Sequence, residues 1–385
     1  MTTFYNAAQC INIKEIYTQY DLCEFLIKVP VGHQMKAGSL RVNGYLRVLK
    51  TPSNGTPVPI DGTEGIFLNQ FAGVHSCFRN TTTTVNNRTV ESLQNYPRIV
   101  AMQTQHDGTP ETIFTSSAHA SELKGVQNNT LLIGDSTAKG CPFSFKPLIA
   151  INKSSEDLPA SKFQEIKVLF QLGAGIDSFY ISGGQPDAPT IFNITFELRE
   201  LQLSWMETLE NKALVNEPVT LNTVFNMVQT VTGINNNIQV VSNTMYDAVS
   251  MSFIRQSSMN SLYFDSLCCE YIPDIERLET LIDGVSAPLS YAILNPVYQD
   301  IALNYYKSLS NSGSSIWRTE DPTKNCIKNR FLSENGCFGI GFGYKTAIND
   351  KLQVSLTLND NTQYNPSNSG NAIDCYIYIN GYVQL

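Results

Sequence analysis

The chain is predicted to be all-β, folded as two tandem eight-stranded antiparallel sandwiches, and three observations lead there. Short runs alternate apolar and polar side chains, the period of a strand with one buried face. About eight such runs, separated by Gly, Pro and Asn turn signals, fall on each side of a charged break at Glu207 to Pro218. The 385 residues suffice for two sizeable cores, and only 16% are charged while Asn, Thr and Ser abound. That balance favours packed strands with long uncharged loops over coiled coil or disorder.

Residues 1–20 have only a weak apolar spacing (Ile11, Ile16, Tyr20) and are expected to form an N-terminal arm packed on a neighbour. Asp21 to Val29 reads as a strand and Gly32 to Gly38 as a loop. From Leu40 to Leu49, Leu40, Val42, Gly44, Leu46 and Val48 alternate with Arg41, Asn43, Tyr45 and Arg47, the pattern of a half-buried antiparallel strand. Three prolines and three glycines make Thr51 to Gly65 a loop. Ile66 to Leu68 starts a short strand, and a second is expected with Val74, Ser76 and Phe78 on one side. A polar ribbon of threonines follows and turns at Asn86-Asn87, and at Asn95-Tyr96-Pro97 the proline ends a strand or opens a helix. His106 to Gly140 is a polar excursion too long for a plain connection. Strands resume at Phe143 to Ile151 and at Ile166, Val168, Phe170 and Leu172. After a Gly173 to Pro189 loop, Thr190 to Met206 buries Ile194, Phe196 and Leu198, then Leu201, Leu203 and Trp205. The shift of phase near Glu200 calls for a bulge.

The boundary is set so that residues 21–209 form the first unit and 210–385 the second. Beyond it, strands are expected at Thr220 to Val231, Tyr246 to Arg255 and Asn260 to Phe264. Asp274 to Asp283 fits both a helical stripe (Ile275, Leu278, Leu281, Ile282) and a strand running into an Asp283-Gly284 hairpin. Asn295-Pro296 with Val297, Ile301 and Tyr305 predicts a short helix. Cys337 to Lys345, Lys351 to Leu358 and Ala372 to Gln384 close the chain. Eight antiparallel strands in two packed sheets make a jelly roll. Two in tandem make a double jelly roll, with a short helix in the loops, although no residue-level repeat relates the halves.

The formal net charge of −8 argues against a surface for nucleic-acid phosphates or anionic lipid. The opening MTTFYNAAQC lacks the order of a signal peptide, and no apolar run approaches the ~18 residues that span a bilayer. The reading is a soluble protein made in the cytosol. Nine cysteines (10, 23, 77, 141, 268, 269, 326, 337, 375) show no zinc-site pairing and read as buried thiols. Six Asn-x-Ser/Thr sequons, at Asn54, Asn80, Asn87, Asn128, Asn152 and Asn193, are read as unglycosylated. His106-Asp107, His119, Ser116 and Ser117 lie in a polar loop without a nucleophile elbow. His33 and His75 have no acidic or thiol neighbour at metal-ligand spacing. Gly339, Gly341 and Gly343 lack the spacing of a phosphate loop. Cys268-Cys269 read as inert, and Glu156-Asp157 as a solvated face. No catalytic, cofactor-binding or metal residue is assigned, and no enzyme activity is expected.

The stretch from Asp61 to Pro97 resembles a pattern in the double jelly-roll major capsid proteins of icosahedral DNA viruses, the lineage of tectiviruses, adenoviruses, virophages and Polinton-like viruses. It is carried by Asp61, Leu68-Asn69, Val74 to Phe78, Val85-Asn86-Asn87 and Asn95-Tyr96-Pro97 in that order. Phe145-Lys146-Pro147-Leu148 before Leu158-Pro159, the Pro273 to Gly284 segment and Phe338 to Gly341 extend it. The resemblance favours a strand at Asp274 to Asp283. It implies a homotrimer whose six rolls form a pseudo-hexameric capsomer of a virion shell. Loops at Thr51 to Gly65, His106 to Gly140 and Thr319 to Asn335 are then candidate towers or clasps. Implied partners are neighbouring capsomers, penton or minor capsid proteins, and an internal membrane touched by the N-terminal arm; sequence-specific nucleic-acid binding is not among them. The rival readings are a single-jelly-roll vertex (penton) protein, a carbohydrate-binding β-sandwich adhesin, and a β-sandwich glycosidase, for which no carboxylate pair stands out.

Overall fold

A computed structural model describes residues 2–52, 55–60, 65–69, 71–107, 123–124, 130–131, 140–154, 156–181, 191–210, 218–240, 245–259, 261–267, 275–286, 292–293, 337–341, 351–358 and 372–385. Eight principal strands build the first half: β1 (Phe4–Gln9), β2 (Leu22–Ile27), β3 (Arg41–Pro52), β4 (Phe78–Val85), β5 (Arg88–Leu93), β6 (Cys141–Phe145), β7 (Ile166–Leu172) and β8 (Ile191–Leu209). Eight more build the second: β9 (Thr220–Val231), β10 (Asn235–Val240), β11 (Met245–Arg255), β12 (Ile275–Ile282), β13 (Val285–Ser286), β14 (Cys337–Gly341), β15 (Leu352–Leu358) and β16 (Ile373–Gln384). Short helices lie between strands of the first half: α1 (Tyr96–Asp107), α2 (Ala150–Lys153) and α3 (Gly175–Ser178).

The strand order is the same in both halves. One sheet of the first half runs β1-β8-β3-β6 and the other β2-β7-β4-β5. In the second half the sheets run β9-β16-β11-β14 and β10-β15-β12-β13. First pairs with last, second with seventh, third with sixth and fourth with fifth, so each half is one long antiparallel ribbon. Rolling the ribbon sets the eighth strand beside the third and the seventh beside the fourth, which gives two packed sheets. The ribbon's tip needs a tight turn with two left-handed residues. In the first half these are Asn86 (φ 48°) and Asn87 (φ 62°), and at the equivalent tip of the second they are Asp283 (φ 49°) and Gly284 (φ 81°). The halves thus share a topology that their residues do not display, and a single-roll chain is excluded.

The alternating runs bury the faces their period implies. Val42, Leu46 and Val48 of β3 point inward, as do Ile166, Val168, Phe170 and Leu172 of β7. In β8 the register slips between Arg199 and Gln202, and Glu200 takes a positive φ of 50°. That bulge keeps Ile194, Phe196 and Leu198 on the same buried side as Leu201, Leu203 and Trp205. The two sheets of the first roll meet where Phe78 packs edge-on to Phe145, 5.2 Å between ring centres, with Phe170 of the Phe78 sheet beside it at 5.3 Å. In the second roll Val249, Met251, Phe253, Val354, Leu356 and Ile377 fill the equivalent space.

Several expectations are corrected. The first residues are not an arm, because Phe4–Gln9 pairs along Gln202–Glu207 as the opening strand of the roll. Its alternation is faint because it is an edge strand, half exposed on both faces. Val74, Ser76 and Phe78 do not share a strand. Residues Gly73–Cys77 form a buried 3-10 turn, set by Asn69, whose Oδ1 accepts the Phe71 and Ala72 N–H groups at 2.9 Å each. The threonine ribbon is two-faced, with Thr81 and Thr83 inside. The Gly32 to Gly38 loop holds the short strand His33–Met35, and the Gly173 to Pro189 loop holds α3 and the strand Phe179–Ile181. The strand expected to reach Ile151 stops at Phe145, and Ala150–Lys153 is helical. Tyr96-Pro97 opens a helix. Glu207 belongs to β8 and is wholly buried, so pairing continues into the charged break as far as Leu209. Residues 261–264 of the expected Asn260 to Phe264 strand lie in turns, and the polar β10 carried no strand signal. The helix expected at Asn295 to Tyr305 and the Thr319 to Asn335 loop lie outside the described residues.

Close backbone packing makes one glycine critical. A Cβ on Gly175 in α3 would sit 1.8 Å from the Ile194 carbonyl oxygen of β8. Gly175→Ala is therefore expected to lower unfolding free energy by about 2–3 kcal/mol, the cost of overpacking against backbone. Gly32→Ala, at φ 84° with open space around it, is expected to lose only about 1 kcal/mol. Urea unfolding measures both, and equal losses would contradict the packing described.

Candidate assembly surfaces

The contacts that organise the chain lie where the two rolls meet and where they stop. The seam begins at β5. Its Glu91 is fully buried between the rolls, accepting hydrogen bonds from the Ala150 N–H (2.6 Å) and Lys153 Nζ (2.8 Å) of α2 and from the Val224 N–H of β9 (2.9 Å). A carboxylate removed from water is costly unless its lone pairs are taken. Here they are, and one of the donors belongs to the other roll. Beside it, Gln94 and Asn226 bond reciprocally: the Gln94 N–H donates to Asn226 Oδ1 at 2.9 Å, and Asn226 Nδ2 to the Gln94 carbonyl at 2.5 Å.

Helix α1 carries the seam onward. Arg98 is buried, donates to the Ser266 carbonyl and lays its guanidinium over the Tyr376 ring of β16, 4.3 Å from the centre. Asn69 Nδ2 donates to Asp265 Oδ2 at 2.7 Å, Ser266 Oγ to the Asp177 carbonyl at 3.0 Å, and the Ile181 N–H to the Leu262 carbonyl at 2.6 Å. The 261–267 segment of the second half is thus stitched into the first. Apolar packing runs without a break through both rolls. Tyr96, at the start of α1, locks the helix from below: its hydroxyl accepts the Leu148 N–H at 3.0 Å and lies 2.7 Å from His75 Nδ1. Burial pushes the Tyr96 phenol well above its ordinary pKa, so it stays protonated.

The other edges of the rolls are open. Among the described residues, β1 and β2 each have a ladder partner on one side only, as does β14 at the far side of the second roll. On and between β1 and β2, Phe4, Tyr5, Ile11, Ile13, Tyr20 and Leu22 expose apolar surface, Tyr5 at 80% and Ile13 at 72%. That concentration on one edge is what an interface looks like before its partner arrives.

Residues weighed as reactive have structural work. His33 Nδ1 lies 3.0 Å from Glu207 Oε2, whose Oε1 accepts Trp205 Nε1 at 2.7 Å, and Phe4 stacks on the imidazole. The acidic partner, 174 residues away, was invisible to a search by spacing. Asp157 is not merely solvated, since it accepts from Gln34 Nε2 (2.8 Å) and the Ala37 N–H (2.9 Å). The Asn80 and Asn152 sequon amides are committed to internal hydrogen bonds. Cys10, Cys23, Cys77, Cys141 and Cys375 are in no disulfide. No group of three or more His, Cys, Asp and Glu among the described residues is placed to hold a metal, and no described helix is long and apolar enough to cross a membrane. His119, Ser116, Ser117, Gly343 and Cys268-Cys269 lie outside the described residues, as do the side chains of His106 and Asp107.

No family model and no curated protein sequence matches the chain. Solved structures do. The Faustovirus major capsid protein matches over 100% of this chain and 90% of its own, at 7% identity and TM-score 0.59. The PBCV-1 virus capsid matches over 100% and 94%, at 11% identity and TM-score 0.59. The fold is a double jelly roll. The mavirus major capsid protein shares it over 98% of this chain and 86% of that one, at 10% identity and TM-score 0.50. At such identities the likeness resides in strand order and packing. Sequence reasoning missed the seam, because Glu91 stands in what reads as a polar ribbon and its partners lie 59, 62 and 133 residues away.

Removing the Glu91 carboxylate strands a lysine and two buried N–H groups. Glu91→Ala is expected to destabilise the double jelly roll by about 3–5 kcal/mol, as loss of one member of a buried ion pair does. Asp21→Asn, which removes an exposed ion pair with Lys14, is expected to cost about 1 kcal/mol or less. Chemical denaturation of the two variants checks the difference, and a Glu91→Ala loss no greater than that of Asp21→Asn would contradict the seam.

Proposed function

We propose that this chain is the major capsid protein of an icosahedral virus, a tile that assembles as homotrimers of six rolls, and that it works by shape and not by chemistry. The observation that carries the reading is the pairing of a closed seam with two open edges. Within the chain, the β5 side of the first roll meets the β9 side of the second; among the described residues, the β1/β2 side of the first and the β13/β14 side of the second have no ladder partner beyond them. Contact between those open sides of successive copies is heterologous, and such contacts close into rings when the rotation at each step divides a full turn. With three copies, six rolls alternate intrachain seams and interchain contacts around a ring that is nearly sixfold.

The likeness in fold to capsid proteins of large DNA viruses and virophages supports the same reading. Division near residue 210 gives each tile two lobes of equal topology, the second spanning 210–385. Neighbouring capsomers and penton or minor capsid proteins are the partners such a tile needs, and the virion shell is its location. An internal membrane, if the first residues touch one, would meet a paired edge strand and not a free arm, since Phe4–Gln9 is β1.

Light scattering on the purified chain is expected to find three copies of 42.8 kDa each. Tyr5→Asp and Ile13→Asp, both on the exposed β1/β2 edge, are expected to give single chains with unchanged far-ultraviolet circular dichroism. A wild-type monomer that binds sugars, or variants that still trimerise, would overturn the proposal.

A further inference from the structure

We propose that Cys10 and Cys23 are a built-in oxidation site that closes to a disulfide and staples the edge strand β1 to the opposite sheet. Cys10 directly follows β1, which belongs to one sheet, and Cys23 lies in β2 of the other. The Ile11 N–H donates to the Glu24 carbonyl at 2.7 Å, so the chain after β1 is already bonded to β2 one residue beyond each cysteine. Both cysteines are buried and outside any disulfide, and each lies close enough to perturb the other's thiol. Two buried thiols on neighbouring segments tied by a backbone hydrogen bond are the starting arrangement that a disulfide needs.

Access is one-sided. A cavity of about 420 Å³ beside the Glu200 bulge is lined by Cys10, Lys14, Tyr17, Arg199 and Glu200, and not by Cys23. Of the two cysteines only Cys10 borders this cavity, so it is the one that an oxidant entering there approaches first. Its thiol is also the acidic one: the hydrogen bond from Cys23 lowers it to about 6 against the opposing effect of burial, helped by Tyr17 and the backbone at Asn12 and Glu24. Cys23 is shifted up, first by its bond to Cys10 and then by burial, so it holds the shared proton. A thiolate is the attacking form.

The oxidant required is a low-molecular-weight disulfide. The Cys10 thiolate attacks one of its sulfurs, the sulfur–sulfur bond breaks, and one small thiol leaves as thiolate. With Cys10 capped, the charge and hydrogen bond that held the Cys23 proton are gone. Cys23 gives that proton to the departing thiolate, attacks the Cys10 sulfur and releases the second small thiol. The balance is one protein dithiol and one small disulfide to one protein disulfide and two small thiols. On the shell reading proposed above, a chain made in a reducing cytosol carries the dithiol and a released particle carries the staple. The chemistry tested below does not depend on that reading.

The test treats the full-length protein with oxidised glutathione, blocks remaining thiols under denaturing conditions, and maps peptides without reduction. The expected result is a Cys10–Cys23 cross-linked peptide, with Cys77 and Cys375 still alkylated. Oxidised wild type is expected to melt higher than reduced wild type, a shift that Cys10→Ser and Cys23→Ser both abolish, and Cys23→Ser is expected to trap glutathione on Cys10. Full alkylation of both cysteines in the treated wild type, a persistent glutathione adduct on wild-type Cys10, or linkage to another cysteine would each overturn the proposal.

Discussion

Glu91 is a buried carboxylate whose three donors come from α2 and from the second roll, and the angle between the rolls depends on keeping all of them. A partly satisfied buried charge is worse than an apolar contact of the same shape, so the seam has one good arrangement and no cheap alternative near it. The reciprocal amide pair at Gln94 and Asn226 and the Arg98 guanidinium over Tyr376 hold the same alignment from other directions. The shell tile proposed above has to repeat one contact many times, and a hinge between its lobes would spread that contact over many geometries. Rigidity at the seam is what that role asks of two sandwiches.

The rolls themselves obtain stability from a simple rule. A long antiparallel ribbon that pairs first with last and fourth with fifth leaves each sheet half-covered until it is rolled. Rolling buries Phe25, Phe78, Phe145, Phe170 and Phe196 in the first half and Tyr246, Phe253 and Tyr378 in the second. Nothing in this rule specifies which apolar residue fills which place, so two halves can keep one topology with no residue in common. The features that do recur are those the backbone demands, and the two tip turns show it: Asn86-Asn87 in one roll and Asp283-Gly284 in the other both carry positive φ.

What was legible in the sequence follows from the same distinction. The strands β3, β7 and β8 announced themselves because one face is buried and the other is not, and the change of phase at Glu200 betrayed its bulge because a slip of one residue would have turned Leu201, Leu203 and Trp205 outward. The first strand stayed hidden because an edge strand has little to bury. Gly73–Cys77 looked like part of a strand because Val74, Ser76 and Phe78 stand at alternate positions, and a fully buried turn can place its residues at the same spacing. The seam was not legible at all. A glutamate in a threonine-rich ribbon gives no sign that a lysine, a helix N–H and another sandwich will close on it, and His33 gave no sign of Glu207. Long-range polar partners leave no period in a sequence.

In the proposed assembly, intrachain seams and interchain contacts alternate around a ring, and electron-microscope images of the purified, unmodified chain would show it. Ring-shaped particles with six lobes and threefold symmetry are expected, in which neighbouring lobes are joined alternately within and between chains. Isolated two-lobed particles, or twofold pairs joined edge to like edge, would contradict it.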